Sequence, residues 1–127
     1  MAKAAAYPTI PNAGAMSEFI GAFDVPSKVT DLVYHCSFSH CWNAIATRHS
    51  DTMDCKFFVD GKGVVLGLAH TGFVTFREHS GRNLSDREAS YIAAEYLRER
   101  LEQEDEHPLY DVSHADVLRI IEELKIH

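Results

Sequence analysis

Cys55-Lys56-Phe57-Phe58-Val59-Asp60-Gly61-Lys62-Gly63-Val64-Val65-Leu66-Gly67-Leu68 is the stretch that decides the fold. Two apolar, β-branched and aromatic runs flank Asp60-Gly61. Glycine supplies positive φ there at no steric cost, so the stretch predicts a β-hairpin. A glycine inside a strand, Gly67, marks a bulge or the close approach of another backbone. Downstream, His70-Thr71-Gly72 breaks the pattern and Phe73 to Glu78 reads as a third antiparallel strand. Upstream, Asp31 to His35 reads as a short strand, with Leu32 and Tyr34 on one face and Val33 and His35 on the other. The spacing therefore predicts an α+β fold. Its sheet is an antiparallel three- to four-stranded meander over about 31–78, interrupted by a helix near 40–49.

The helices are read from period and caps. Ser85 and Glu88 form an S-x-x-E capping box with Leu84 placed to staple onto Ala89, opening a helix from about Asp86 to Glu104. Ala89, Ile92, Ala93, Tyr96, Leu97 and Leu101 make its apolar stripe, so a long amphipathic helix is expected on one face of the sheet. The acid run Glu102 to Glu106 opposes the macrodipole at its C-terminus, and fraying is expected there. Ser113 caps a short C-terminal helix, 113–125, with Val117, Leu118, Ile121 and Leu124 inward. Trp42, Ile45 and Ala46 fall at i, i+3, i+4, which predicts the helix from about Ser39 to His49 with Trp42 as core anchor. Phe19, Ile20 and Phe23 predict another short helix from Ser17. Leu32, Val65, Phe73 and Val74 are also assigned to the core. Residues 1–15, with Pro8, Pro11 and Gly14, read as a flexible N-terminal arm, and 16–127 as one α+β domain.

At 127 residues the chain is long enough to bury a core without disulfide or metal staples. The net charge is −7. Residues 1–79 hold six Lys/Arg and seven Asp/Glu, whereas 80–127 hold six and twelve, so the acidity lies in the C-terminal third. Such a surface repels phosphate backbones, and nucleic acid is not an expected partner. No apolar run approaches the roughly 20 residues of a membrane span, and no membrane partner is expected. Met1 to Ala15 lacks the continuous apolar region of a signal peptide. With an odd number of cysteines, three, the expected compartment is a reducing cytoplasm where they remain thiols.

The chemistry-bearing segment is Tyr34-His35-Cys36-Ser37-Phe38-Ser39-His40-Cys41-Trp42. It holds two of the three cysteines, two of the eight histidines and the single tryptophan. His35, Cys36, His40 and Cys41 are the candidate metal ligands. Cys36 and His40 share a face if the segment is helical, and zinc is the metal that such soft donors suit. Cys55, His70 and His79 fall singly on the strands that follow, without a second compact pair. The same residues admit nucleophilic chemistry. A predicted helix start at Cys41 favours its thiolate, and His70 sits at a strand junction as a candidate base.

Ser39-His40-Cys41-Trp42 and His70-Thr71-Gly72-Phe73-Val74 resemble the Cys-Trp and His-strand segments of papain-like and NlpC-type thiol hydrolases. The resemblance spans about fifteen residues and implies Cys41 as nucleophile and His70 as base. No glutamine precedes Cys41 to build an oxyanion hole, and no obvious polar third residue follows His70, His79 being only a loose candidate. Against this hydrolase reading, and against a zinc-stabilised binding domain through Cys36, His40 and Cys41, stands a non-catalytic one. No cofactor fingerprint, nucleotide loop or basic surface is present. A small cytosolic binding or assembly module is therefore expected, pairing as a homodimer because short strands leave an exposed edge.

Overall fold

A computed structural model of the chain describes residues 18–44 and 51–127. The predicted arm 1–15 and Ile45 and Ala46 of the predicted helix lie outside them. The elements run β1 (Phe23–Pro26), β2 (Val33–Ala44), β3 (Thr52–Val59), β4 (Lys62–Ala69), α1 (His70–Ser80), α2 (Asp86–Glu102), β5 (Leu109–Val112) and α3 (His114–Glu123). The fold is α+β, with a five-stranded sheet in the order β1-β2-β3-β4-β5. Neighbours β1 to β4 are antiparallel and β5 runs parallel to β4. The sheet is thus mixed, not the antiparallel meander expected. A parallel neighbour demands a crossover, and α1 and α2 provide it between β4 and β5.

The Asp60-Gly61 hairpin forms as its residues require. Both turn residues have positive φ, 50° and 83°, and Val59 pairs with Lys62 across the turn. The turn is also tied to β2: the Asp60 N–H donates to the His35 carbonyl at 2.8 Å, and the His35 N–H donates to Asp60 Oδ1 at 3.0 Å. Gly67 stands in regular register between Asp54 and Asp111, so β4 carries no bulge there.

Three expectations about elements are corrected, and a fourth point adds a strand that was not anticipated. The segment 73–78 is helical, part of α1, not a third strand. Gly81 closes that helix in the left-handed region (φ 83°), its N–H donating to the Arg77 carbonyl at 2.8 Å, with Arg77 and His79 in the last turn. Second, β2 continues as strand through Ala44, so the predicted helix start at Ser39 is absent and Trp42 is 38% exposed. Third, residues 18–22 are not helical. Phe19 stacks on Phe38 at 5.3 Å, the Ile20 N–H donates to Ser90 Oγ at 3.2 Å, and Phe23 enters β1 opposite Cys36. Fourth, Leu109-Tyr110-Asp111-Val112, between the expected helices, is β5, with Tyr110 and Val112 buried.

Helix α2 is capped as the sequence requires: Ser85 Oγ accepts from the Glu88 N–H at 3.0 Å and Glu88 Oε1 accepts from the Ser85 N–H at 2.9 Å. It shares the helical layer with α1 and α3 and is not one long helix alone. The helix ends at Glu102, and the acids around that end have specific partners. Glu102 pairs with Lys28 and Arg98, and the Lys28 N–H donates to the Glu102 carbonyl at 2.8 Å. Glu104 accepts from Ser27 Oγ at 2.6 Å and from Thr30 Oγ1, and Glu106 accepts from the Tyr34 hydroxyl at 2.9 Å. The acid run fastens the β1–β2 connection to the end of α2, and these bonds outweigh its unfavourable position on the helix dipole. The Tyr34 hydroxyl is pushed far above the usual phenol range by its burial and by the Glu106 carboxylate.

The core lies between the sheet and α2. Phe57, Leu66, Leu68, Ile92, Leu97 and Leu101 are fully buried. Helix α2 reaches β1 through β4, while α3 packs on α2, α1 and β4. Leu32, assigned to the core from its strand pattern, is exposed because it precedes β2. Val65 is half-buried on the outer face, whereas its neighbours Val64 and Leu66 point inward.

Candidate functional site

One irregularity in β2 sets the local chemistry. The β2–β3 register pairs Phe38 with Phe57 and then His40 with Lys56, leaving Ser39 as an extra residue. A one-residue bulge inverts the facing of everything beyond it. Before it, Tyr34, Cys36 and Phe38 face α2. After it, Cys41 faces α2, and His40 and Trp42 face outward. Without the bulge Trp42 would be buried and Cys41 would point away from the core.

The inversion brings two thiols together. Cys41 lies directly opposite Cys55 in the register, and one thiol donates to the other with the sulfurs 2.8 Å apart. Cys41 is half-buried. Cys55 is fully buried, its sulfur 3.9 Å from the Ala89 carbonyl on α2. Its bond to Cys41, together with burial, pushes the Cys55 thiol far above the usual range. Cys36 sits opposite Phe23 and Val59, with no thiol across from it, and burial pushes its thiol up to about 12. In sequence Cys55 stands alone; the register makes it the partner of Cys41.

The other candidate ligands point elsewhere. His35 is exposed on the outer face, its Nδ1 2.8 Å from Asp24 Oδ1, a bond that raises its pKa above the ordinary imidazole value. His40 is exposed, stacked on Trp42 at 4.9 Å with its Nδ1 2.8 Å from Ser39 Oγ. Strand β2 therefore divides the four residues: Cys36 and Cys41 inward, His35 and His40 outward. Among the described residues, the carboxylates of Glu95, Glu99 and Glu123 are the group that converges at ligand spacing. Those acids already pair with Arg98 and Arg119.

His70 opens α1 at the surface, stacked on Phe73 at 6.3 Å, with its N–H donating to the Asp51 carbonyl at 3.2 Å. Cys41 stands level with Leu66, two strands from β4, and His70 lies four residues further along. Strand spacing puts their Cα atoms about 16 Å apart. The register therefore supplies no imidazole from His70 to the Cys41 thiol.

The outer face carries a different feature. Successive pairs place His40, Lys56, Val65 and Leu109 at one level across the sheet. Trp42 follows His40 on β2. On β3, Phe58 follows Lys56, whose Nζ lies 5.1 Å from its ring centre. Trp42, Phe58 and Leu109 are 38%, 39% and 45% exposed. On the same face, beside Trp42, Thr52 and Asp54 are buried. Two grooves lie elsewhere. One of about 200 Å³ is bounded by Val59, Val64, Leu101 and Tyr110; a wider one of about 800 Å³ lies between α1 and α3 beside Phe76 and Ile121. Neither contains a thiol. No helix among the described residues is long and apolar enough to cross a membrane. No protein-family model matches the chain, and neither a curated protein nor a solved structure matches it.

Proposed function

We propose that the protein is a small cytoplasmic binding and assembly module that pairs with a second copy of itself through the outer face of its sheet. The observation that carries this reading is the level formed by His40, Lys56, Val65 and Leu109, with Trp42 and Phe58 beside it. Three large apolar side chains on this sheet face, Trp42, Phe58 and Leu109, are each more than a third exposed and lie around that level. Aromatic side chains are the groups that most often anchor interfaces. An isologous contact needs only one such patch, since each copy presents it to the other. Lys56 and His40 bring positive and titratable groups to an otherwise acidic molecule, which limits repulsion between two chains of charge −7 at this contact.

The thiol-hydrolase reading needs a base near Cys41, and a Cα separation of about 16 Å between Cys41 and His70 weighs against it. The zinc reading needs ligands on one side of β2, and strand alternation sets His40 on the face opposite Cys36 and Cys41. The non-catalytic reading requires neither. Sedimentation of the full chain at tens of micromolar tests it. A two-fold mass is expected for the wild type and a monomer for Phe58→Asp, with unchanged circular dichroism in both. A wild-type monomer at that concentration overturns the reading.

A further inference from the structure

We propose that Cys41 and Cys55 are a reversible redox dithiol that closes to an intramolecular disulfide by exchange with a low-molecular-weight disulfide. The pair lies on the inner face of the sheet and does not depend on the assembly patch. Residues directly opposite in an antiparallel pair have Cα atoms roughly 4.5–5.5 Å apart, inside the roughly 4.4–6.8 Å range that a disulfide spans. Cys41 and Cys55 are such a pair, with sulfurs already in contact at 2.8 Å. Closing the bond needs no movement of either strand. Cys36, five residues before Cys41 on the same strand, has no thiol opposite it and serves as an internal control.

The two sulfurs differ in what can reach them. Cys55 is sealed beneath α2, whereas Cys41 is half-buried, so an external reagent meets Cys41 first. The Cys41 thiol gives its proton to solvent and the thiolate attacks one sulfur of the disulfide R–S–S–R. That bond breaks, one R–S⁻ leaves, and Cys41 holds R–S in a mixed disulfide. The Cys55 thiol then loses its proton and its sulfur attacks the Cys41 sulfur, expelling the second R–S⁻. Two cysteine thiols are oxidised by two electrons and R–S–S–R is reduced to two thiols, which take up the two protons released. Burial of Cys55 slows the second step, because its thiol must ionise away from water. The bond ties β2 to β3 immediately beyond the bulge, between His40 and Trp42.

The test treats the reduced full chain with glutathione disulfide and follows it by intact mass and peptide mapping after alkylation. The wild type is expected to lose two hydrogens, to yield a linked Cys41–Cys55 peptide and to leave Cys36 alkylated. Cys55→Ala is expected to stop at a single glutathione adduct on Cys41, and Cys41→Ala to remain unmodified by the reagent. A linkage that includes Cys36, or a wild type that stays fully reduced while the same chain unfolded in urea oxidises, overturns the proposal. The wild-type map decides the matter even if a variant fails to fold.

Discussion

Gly72→Ala probes whether α1 lies where the structure puts it. Gly72 is helical with ordinary backbone angles, so propensity alone predicts that alanine stabilises by about 1 kcal/mol. Packing opposes this. A Cβ at position 72 would stand 2.7 Å from Val117 Cγ1 and 2.9 Å from Val117 Cβ. Val117 is fully buried on α3 and, being β-branched in a helix, has one strongly preferred rotamer, so it cannot turn away. Relief requires α1 and α3 to part, an overpacking cost of about 1–3 kcal/mol. With the closer contact well inside normal separation, the upper half of that range applies, and the net effect is a loss of about 1–2 kcal/mol. For a domain of this size that lowers Tm by about 4–8 °C. Val117→Ala alone creates a cavity. The double variant removes the Cγ contact, so a coupling of about 1 kcal/mol in its favour is expected. Urea titration followed by circular dichroism measures all three. A Gly72→Ala protein that is more stable than wild type, or a cycle that is strictly additive, would refute the packing of α1 on α3.

Two further outcomes follow from the ionised groups. Burial raises the Glu88 pKa, but the bidentate Arg82 (2.9 Å to each oxygen) and the Ser85 N–H more than reverse this, leaving it below the ordinary glutamate range. A depressed carboxylate contributes stability that is present above its unfolded pKa and lost as pH falls through the folded one. Glu88→Gln should therefore cost about 1–2 kcal/mol at neutral pH, with the gap to wild type closing in acid; a gap that persists in acid contradicts the ion pair. His35 titrates above the ordinary imidazole value because of its hydrogen bond to Asp24. Its contribution is present below the unfolded pKa and fades as pH rises through the folded one. Proton NMR should show the His35 midpoint falling in Asp24→Asn, and an unchanged midpoint would mean that the two side chains do not meet.

What the sequence discloses and what it conceals have physical causes. The Asp60-Gly61 turn and the Ser85/Glu88 and Ser113 caps are local devices, and each forms where its residues stand. Phe73 to Phe76 misleads because apolar β-branched and aromatic residues favour a strand locally. Gly72 against Val117 and the left-handed Gly81 accompany the helix instead. Strand β5 is too short to announce itself, although Leu109 to Val112 does alternate. The bulge at Ser39 has no local signature. Helical spacing at Trp42 concealed it, and with it the meeting of Cys41 and Cys55, which is a tertiary event of register. Cys41 and Cys55 stand fourteen residues apart in sequence, and no local pattern links them.

In the proposed dimer, the bulge turns Trp42 outward onto the face where two copies meet. Trp42 is the only tryptophan in the chain, so its emission reports that face alone. Fluorescence across a dilution series, with mass measured by light scattering on the same samples, tests the claim directly. Solvent-exposed, readily quenched emission is expected at the lowest concentrations. A blue shift and loss of quenching are also expected, rising together with the change from monomer to dimer mass. Emission that is already buried in the monomer, or that does not move while the mass doubles, would contradict the claim.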